Sequence, residues 1–274
     1  MSASGLEALF GVEDKVCVVT GASRGIGFHL ARALLEGRAA RVYITSRKRA
    51  DCDAAAAQLG EYGTCVSLPA DLATAEGRAT FAAELQAREP ALHVLVNNAG
   101  VTWGAPIDDY PEHGLDKVLD LNVKGLFALT QTLLPLLRRA ARPDDPARVI
   151  NLGSVDALAV PATENYAYSA SKAAVHHLTR HLASALACDR ITVNAIAPGL
   201  FRSRMTEFLW ADGSAASVIE SIPLGREGDY HDAAGAVLYL ASRAGAWVTG
   251  VVLPVAGGTA TASPRLRTTG TGPN

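Results

Sequence analysis

Short apolar, β-branched runs recur along the chain at residues 16–20, 41–45, 64–68, 92–96, 148–152, 191–196 and 251–255. Runs of this length without polar alternation predict strands buried on both faces. Longer segments lie between most of them, at 26–36, 50–59, 75–88, 115–139, 168–187 and 232–242, with apolar residues three and four positions apart. That spacing stacks the apolar side chains on one face of a helix. A chain that reaches each new strand through a helix pairs its strands in parallel, and right-handed crossovers distribute the helices over both faces of the sheet. The pattern predicts an α/β fold, a single doubly wound domain with seven parallel strands flanked by helices. No break in composition divides residues 1–258, whereas 259–274 are rich in Thr, Gly, Ser and Pro and lack an apolar period, which predicts a disordered tail.

Composition narrows what such a body does. With 274 residues, 49% hydrophobic and 19% charged, the chain buries a sizeable core and wholesale disorder is excluded. A net charge of −2, with Lys and Arg dispersed and no basic block, argues against nucleic acid as a partner. Cys17, Cys52, Cys65 and Cys188 include no CxxC pair, so no disulfide framework and no metal site is expected. Residues 1–14 carry Glu7, Glu13 and Asp14 without Lys or Arg, unlike an export signal. The most Leu-rich stretch, 126–137, is interrupted by Thr130, Gln131, Thr132 and Pro135, short of the roughly 20 apolar residues of a membrane helix. A cytoplasmic protein without a membrane partner is expected.

The first strand runs into Thr20-Gly21-Ala22-Ser23-Arg24-Gly25-Ile26-Gly27, followed by the helical face Phe28, Leu30, Ala31, Leu34 and Leu35. Strand, glycine turn and helix in that order form the phosphate-binding corner of a Rossmann-type fold. Gly21, Gly25 and Gly27 let the backbone approach a pyrophosphate, whose charge is favoured by the free N–H groups at the helix start. The spacing is GxxxGxG rather than GxGxxG, and a purely structural tight turn is the competing reading. At the end of the second strand, where an acid would hold the ribose hydroxyls of NAD, stand Ser46, Arg47 and Lys48. A guanidinium there can grip a 2′-phosphate, with Arg24 approaching from the glycine turn, so the sequence points to NADP(H). A solvated cationic loop is the alternative.

Downstream, Tyr168 and Lys172 are four residues apart and share one face if helical. Free tyrosine titrates near 10, so proton exchange with a carbonyl near neutrality needs the nearby positive charge that Lys172 would supply. Ser154 follows the fifth strand at a carboxyl end, where open α/β sheets bind ligands, and its hydroxyl can polarise a carbonyl. Taken singly, these residues also read as a packing tyrosine, a surface lysine and a helix N-cap.

Taken in order, the motifs resemble those of the classical short-chain dehydrogenase/reductase family. They are Thr20–Gly27, Asp71-Leu72, Asn97-Asn98-Ala99-Gly100, Asn122 within Leu121-Asn122-Val123, Ser154, Tyr168-xxx-Lys172 and Pro198-Gly199. The resemblance covers residues 15–258. It implies that Tyr168 is the general acid/base, that Lys172 lowers its pKa and binds the nicotinamide ribose, that Ser154 holds the substrate oxygen, and that Asn122 anchors a proton-relay water. It also implies cofactor contacts from Gly21, Ser23, Arg24, Gly25, Ile26 and Gly27, from Asp71 and Leu72 at the adenine end, from Asn98, Ala99 and Gly100 in the central cleft, and from Pro198 and Gly199 beside the nicotinamide. The chain departs from the pattern at Ser203, where Thr commonly holds the carboxamide, and at Ala256, where an acid is commoner.

Within the family, residues 98–104, Arg138-Arg139 and 198–206 are similar to bacterial NADPH-dependent β-ketoacyl reductases of the rhamnolipid-associated type. An NADPH-dependent carbonyl reductase is therefore expected. An alcohol, polyol or steroid dehydrogenase is the first alternative, and a non-catalytic NADP-binding redox regulator the second, though a regulator has no need of Tyr168 and Lys172. After Pro198-Gly199, Met205, Phe208, Leu209, Trp210, Val218, Ile219 and Ile222 recur at helical spacing, as in an apolar flap. With Trp103 and Leu158 they predict a pocket for an apolar ketone, a 3-oxoacyl thioester being the best single expectation. Burial of the flap on the body is the competing reading. Arg202 and Arg204 would meet a carrier-bound acyl chain at the rim. The apolar content of the two longest helices, and the resemblance to tetrameric relatives, predict a homo-oligomer, most simply a tetramer.

Overall fold

The computed structural model describes residues 3–211 and 213–261. The first half runs α1 (Ala3–Phe10), β1 (Val16–Thr20), α2 (Gly25–Glu36), β2 (Arg41–Thr45), α3 (Arg49–Leu59), β3 (Cys65–Ser67), α4 (Ala75–Arg88) and β4 (Val94–Asn97). The second runs α5 (Glu112–Leu119), α6 (Leu126–Ala140), β5 (Ala147–Leu152), α7 (Tyr166–Leu186), β6 (Ile191–Pro198), α8 (Phe208–Ala211), α9 (Ala215–Ser221), α10 (Tyr230–Ala241) and β7 (Val252–Val255). All strand pairs are parallel, in the order β3-β2-β1-β4-β5-β6-β7. This is the seven-stranded doubly wound sheet that the apolar runs predict.

Alternation along each strand sorts the core into two layers. Val19 and Ile44 face one way, against Leu30 and Leu34 of α2 and Val237 and Leu240 of α10. Val18, Leu95 and Val149 face the other, against Leu85 of α4 and Leu133 and Leu136 of α6. Both faces are covered, so the carboxyl edge of the sheet is where ligands gain access. The strand order reverses between β1 and β4, and the loops after those two strands meet at that switch point, where open α/β sheets bind ligands.

Three features differ from the sequence expectations, and a fourth, the flap, takes the helical form that its spacing predicts. Helix α1 was not anticipated; it packs near the 3-10 turn Arg243–Gly245. The helix expected over 115–139 is interrupted, because a π turn, Asp120–Gly125, separates α5 from α6. The apolar flap after β6 forms two short helices, α8 and α9. The segment expected to begin a disordered tail opens with a 3-10 turn at Thr259–Thr261, where the Thr259 hydroxyl donates to the Ala256 carbonyl at 2.8 Å; residues 262–274 lie outside the described residues. Among the described residues no helix is long and apolar enough to cross a membrane, and no group of three His, Cys, Asp or Glu side chains could hold a metal ion.

Candidate active site

The glycine turn after β1 is built by close approach. Gly21 and Gly25 take positive φ, +66° and +59°, which favours glycine. A β-carbon on Gly21 would lie 2.8 Å from the Ala99 α-carbon, and one on Gly27 would overlap the Asn98 amide. Asn98 braces the turn: its Nδ2 donates to the Thr20 and Gly21 carbonyls at 2.8 and 3.0 Å. The Thr20 hydroxyl accepts from the backbone amides of Asn98 and Ala99, each at 2.9 Å. Arg24 stands at the N-cap of α2 in extended backbone, and its side chain makes no capping bond. The first-turn amides of α2 therefore meet no side-chain acceptor from their own N-cap, and with the helix dipole they favour a phosphate. A dinucleotide's pyrophosphate fits this cradle on the chemistry of its donors.

Ser46, Arg47 and Lys48 follow β2 at the same edge, with Arg47 and Lys48 exposed. Arg24 lies 3.8 Å from Asp51, an ion pair that the sequence reading did not anticipate. Asp71 and Leu72 turn the chain after β3, where Asp71 Oδ1 accepts from the Ala73 amide at 3.1 Å and the Leu72 carbonyl accepts from Arg78 at 2.8 Å. Ser203 lies over the glycine turn, 3.4 Å from the position of a Gly25 β-carbon. Its backbone amide donates to the Thr206 hydroxyl at 3.0 Å, so the sequence reading of Ser203 missed Thr206 as its support. Gly199 packs on Ala256, whose α-carbon would lie 2.8 Å from a β-carbon at 199.

The proton-bearing groups gather beside this cradle. Ser154 follows β5 and caps the 3-10 turn Val155–Ala157, Tyr168 and Lys172 lie one turn apart on α7, and Asn122 lies in the π turn. Asn122 is 1% exposed and fully bonded: Oδ1 accepts from the Val101 amide at 2.9 Å, while Nδ2 donates to the Val101 carbonyl at 3.0 Å and to the Ser171 hydroxyl at 2.9 Å. The π turn widens the helix at the residue that ties the loop after β4 to α7, a common use of such turns. Gly100 completes the contact, since a β-carbon there would sit 3.3 Å from Asn122 Oδ1 and 3.6 Å from Lys172 Nζ. Below them a polar ladder of Asn97, Asn151, Thr130 and Thr179 locks β4 and β5 to α6 and α7.

Burial sets the proton affinities. It pushes the Tyr168 phenol up to about 12, opposed by the Ser154 hydroxyl and aided by the Asp156 carboxylate. The same burial pulls the Lys172 ammonium down to about 8, opposed by Asp156. Lys172 Nζ donates to the Leu152 carbonyl at 2.6 Å and lies 5.5 Å from the Tyr168 ring centroid. In this arrangement burial and Asp156 raise the phenol's proton affinity against the opposing Ser154 hydrogen bond, and the lowering expected from Lys172 is not among the causes. Asp156 itself is raised by burial, with Asn165 and Lys172 opposing. Its Oδ2 accepts from Asn165 at 2.9 Å and its amide donates to the Ser154 hydroxyl at 3.1 Å. Asp156 is a further charge at the site, and the sequence reading passed over it.

A dinucleotide cradle, with a half-buried phenol and a buried lysine and serine at the same sheet edge, defines an oxidoreductase site. The chain belongs to the short-chain dehydrogenase/reductase family: residues 21–260 match the family described as enoyl-(acyl carrier protein) reductase. It is 45% identical over 250 residues to the rhamnolipids biosynthesis 3-oxoacyl-(acyl-carrier-protein) reductase of Pseudomonas aeruginosa, covering 91% of this chain and 97% of that protein. The RhlG/NADP active-site complex from Pseudomonas aeruginosa superposes with a TM-score of 0.90 at 44% identity, covering 92% of this chain and 99% of that one. A gluconate 5-dehydrogenase from Burkholderia cenocepacia, in complex with NADP and tartrate, matches at 28% identity with a TM-score of 0.87 over 94% of this chain and 100% of that one.

Proposed function

We propose that this chain is an NADPH-dependent carbonyl reductase acting on a 3-oxoacyl thioester, with Tyr168 as the proton donor. The observation that carries this reading is a half-buried phenol, its pKa raised to about 12, that meets Ser154 and lies one helical turn from Lys172, at the edge that holds the glycine cradle. A protonated acid is the state a reductase needs, because the alkoxide that forms as a ketone is reduced must take up a proton. Tyr168 donates that proton, and Ser154 donates a hydrogen bond to the same oxygen and fixes its position. Lys172 carries positive charge below its pKa of about 8 and orients the nicotinamide ribose. Asn122 holds the loop after β4 against α7, and in this reading it anchors the proton-relay water. When bound, the nicotinamide supplies the hydride.

The NADP preference rests on Ser46, Arg47 and Arg24 and on the missing acid after β2, together with the NADP complexes of the two similar structures. Asp71 and Leu72 take the adenine end, Asn98, Ala99 and Gly100 line the cleft, and Pro198, Gly199 and Ser203 border the nicotinamide. The substrate class rests on the Pseudomonas relative and on the flap, whose Met205 and Phe208 remain exposed while Ile222 is buried. Arg202 stacks over Trp210 at 5.0 Å, which holds one cation at the flap where a carrier's phosphate would arrive. The unit 1–258 carries both sites in this reading, as a cytoplasmic homotetramer; the four unpaired cysteines suit a reducing compartment. NADPH oxidation should be measured against acetoacetyl and longer 3-oxoacyl thioesters, bulky cyclic ketones and keto-sugars. Best efficiency on the longer thioesters is expected, and best efficiency on keto-sugars would contradict the substrate assignment.

A further inference from the structure

At the end of β5 the Gly153 amide donates to the Ile196 carbonyl of β6 at 2.7 Å, and the next amide, that of Ser154, leaves the sheet. Its acceptor is Nε2 of His176 at 3.4 Å. His176 lies on the buried face of α7, one turn beyond Lys172 and two beyond Tyr168, and is 3% exposed. The imidazole occupies the space a side chain at 153 would fill: a β-carbon on Gly153 would overlap the ring. Gly153 is not among the positive-φ residues, so close approach, rather than conformation, requires glycine there.

An imidazole that accepts at Nε2 is neutral and carries its proton on Nδ1. Burial, with Lys172 and then Arg180 adding like charge, pushes its pKa down to about 4. Nδ1 is buried with no hydrogen-bond partner among the described residues. A buried donor without a partner is costly, and a leucine would fill the same volume without that cost. What the histidine offers in return is the lone pair facing Ser154.

We propose that His176 is a positioning residue whose neutral imidazole holds the Ser154 amide and thereby sets the serine hydroxyl against the Tyr168 phenol. The inference rests on the assignment of Ser154 and Tyr168 to the reaction. The Ser154 hydroxyl already accepts from the Asp156 amide, so its direction follows the backbone at 154, and that backbone is what Nε2 anchors. At 3% exposure, His176 acts through the Ser154 amide.

His176→Leu keeps the volume and removes the acceptor, while His176→Gln places an amide oxygen where Nε2 lies. The leucine variant should lose about tenfold to a hundredfold in kcat, the scale of a slightly misplaced group, with NADPH affinity and melting temperature close to wild type. The glutamine variant should recover most of that rate. A leucine variant within about twofold of wild type, or a folded glutamine variant as slow as leucine, would overturn the proposal. Nitrogen-15 spectra of histidine-labelled wild type give a reading free of turnover, the His176 signals being those missing from the glutamine variant. Protonated Nδ1 and bare Nε2 at neutral pH are expected, and a proton on Nε2 would also overturn it. A wild type that reduces no carbonyl would defeat the reductase reading while leaving this spectroscopic test intact.

Discussion

Tyr168 is half-buried and Lys172 buried in the same corner, and desolvation moves their proton affinities in opposite directions because it penalises whichever form is charged. Asp156 is the one carboxylate that acts on both, raising each. Asp156→Asn removes that charge and keeps the side-chain volume, so both groups lose their protons at lower pH. The alkaline limb of the reduction rate should then move down by up to about one unit; a profile that stays put or moves up would show that Asp156 does not act on the pair. At the cofactor's other end, Asp51 competes with an incoming phosphate for Arg24. Both side chains are half exposed, at 55% and 43%, so the pair is weak. Asp51→Asn should strengthen NADPH binding by about threefold, less than 1 kcal/mol, with the gain fading at high salt. Unchanged affinity by calorimetry would place Arg24 away from the phosphate.

The elements were legible in the sequence where the core dictates them. Apolar runs marked all seven strands: β1, β2, β4, β5 and β6 are buried and tolerate no polar alternation, the half-exposed edge strands β3 and β7 are marked by their β-branched content, and the glycine turn marked the start of α2. The π turn at 120–125 was not legible: apolar spacing on either side of it suits one long helix, and the interruption is held by Asn122 reaching Val101 and Ser171, contacts that exist only after folding. His176 and Asp156 escaped for the same reason. Neither lies in a motif, and their partners are set by how α7 docks on β5. Helix α1 is eight residues long, too short for its period to stand out. In the glycine turn the tightest demand falls on Gly27, where any β-carbon displaces the Asn98 amide that braces the turn. Gly27→Ala should weaken NADPH binding at least about tenfold, or 1.4 kcal/mol, by fluorescence titration; near-native affinity would mean the brace is dispensable.

For the whole molecule, large apolar groups remain outside both core layers. Phe127 on α6 is 41% exposed, Tyr166 on α7 43%, and Trp247 beside β7 99%. The outward Phe127 of α6 and Tyr166 of α7, each set among polar neighbours, support the proposed tetramer, since each can pack on its own copy about a two-fold axis. Light scattering should report four subunits at micromolar concentration and fewer for Phe127→Glu; a monomeric wild type would contradict the assembly. The account as a whole turns on one reaction, hydride delivery from NADPH to a ketone with Tyr168 as the acid. The direct test is NADPH oxidation with a 3-oxoacyl thioester by wild type and Tyr168→Phe side by side, with NADPH affinity measured for both. Turnover by the wild type is expected, with a loss of at least about a hundredfold in the variant at unchanged affinity. A phenylalanine variant that keeps more than about a tenth of the rate, a barrier change under about 1.4 kcal/mol, would contradict the account.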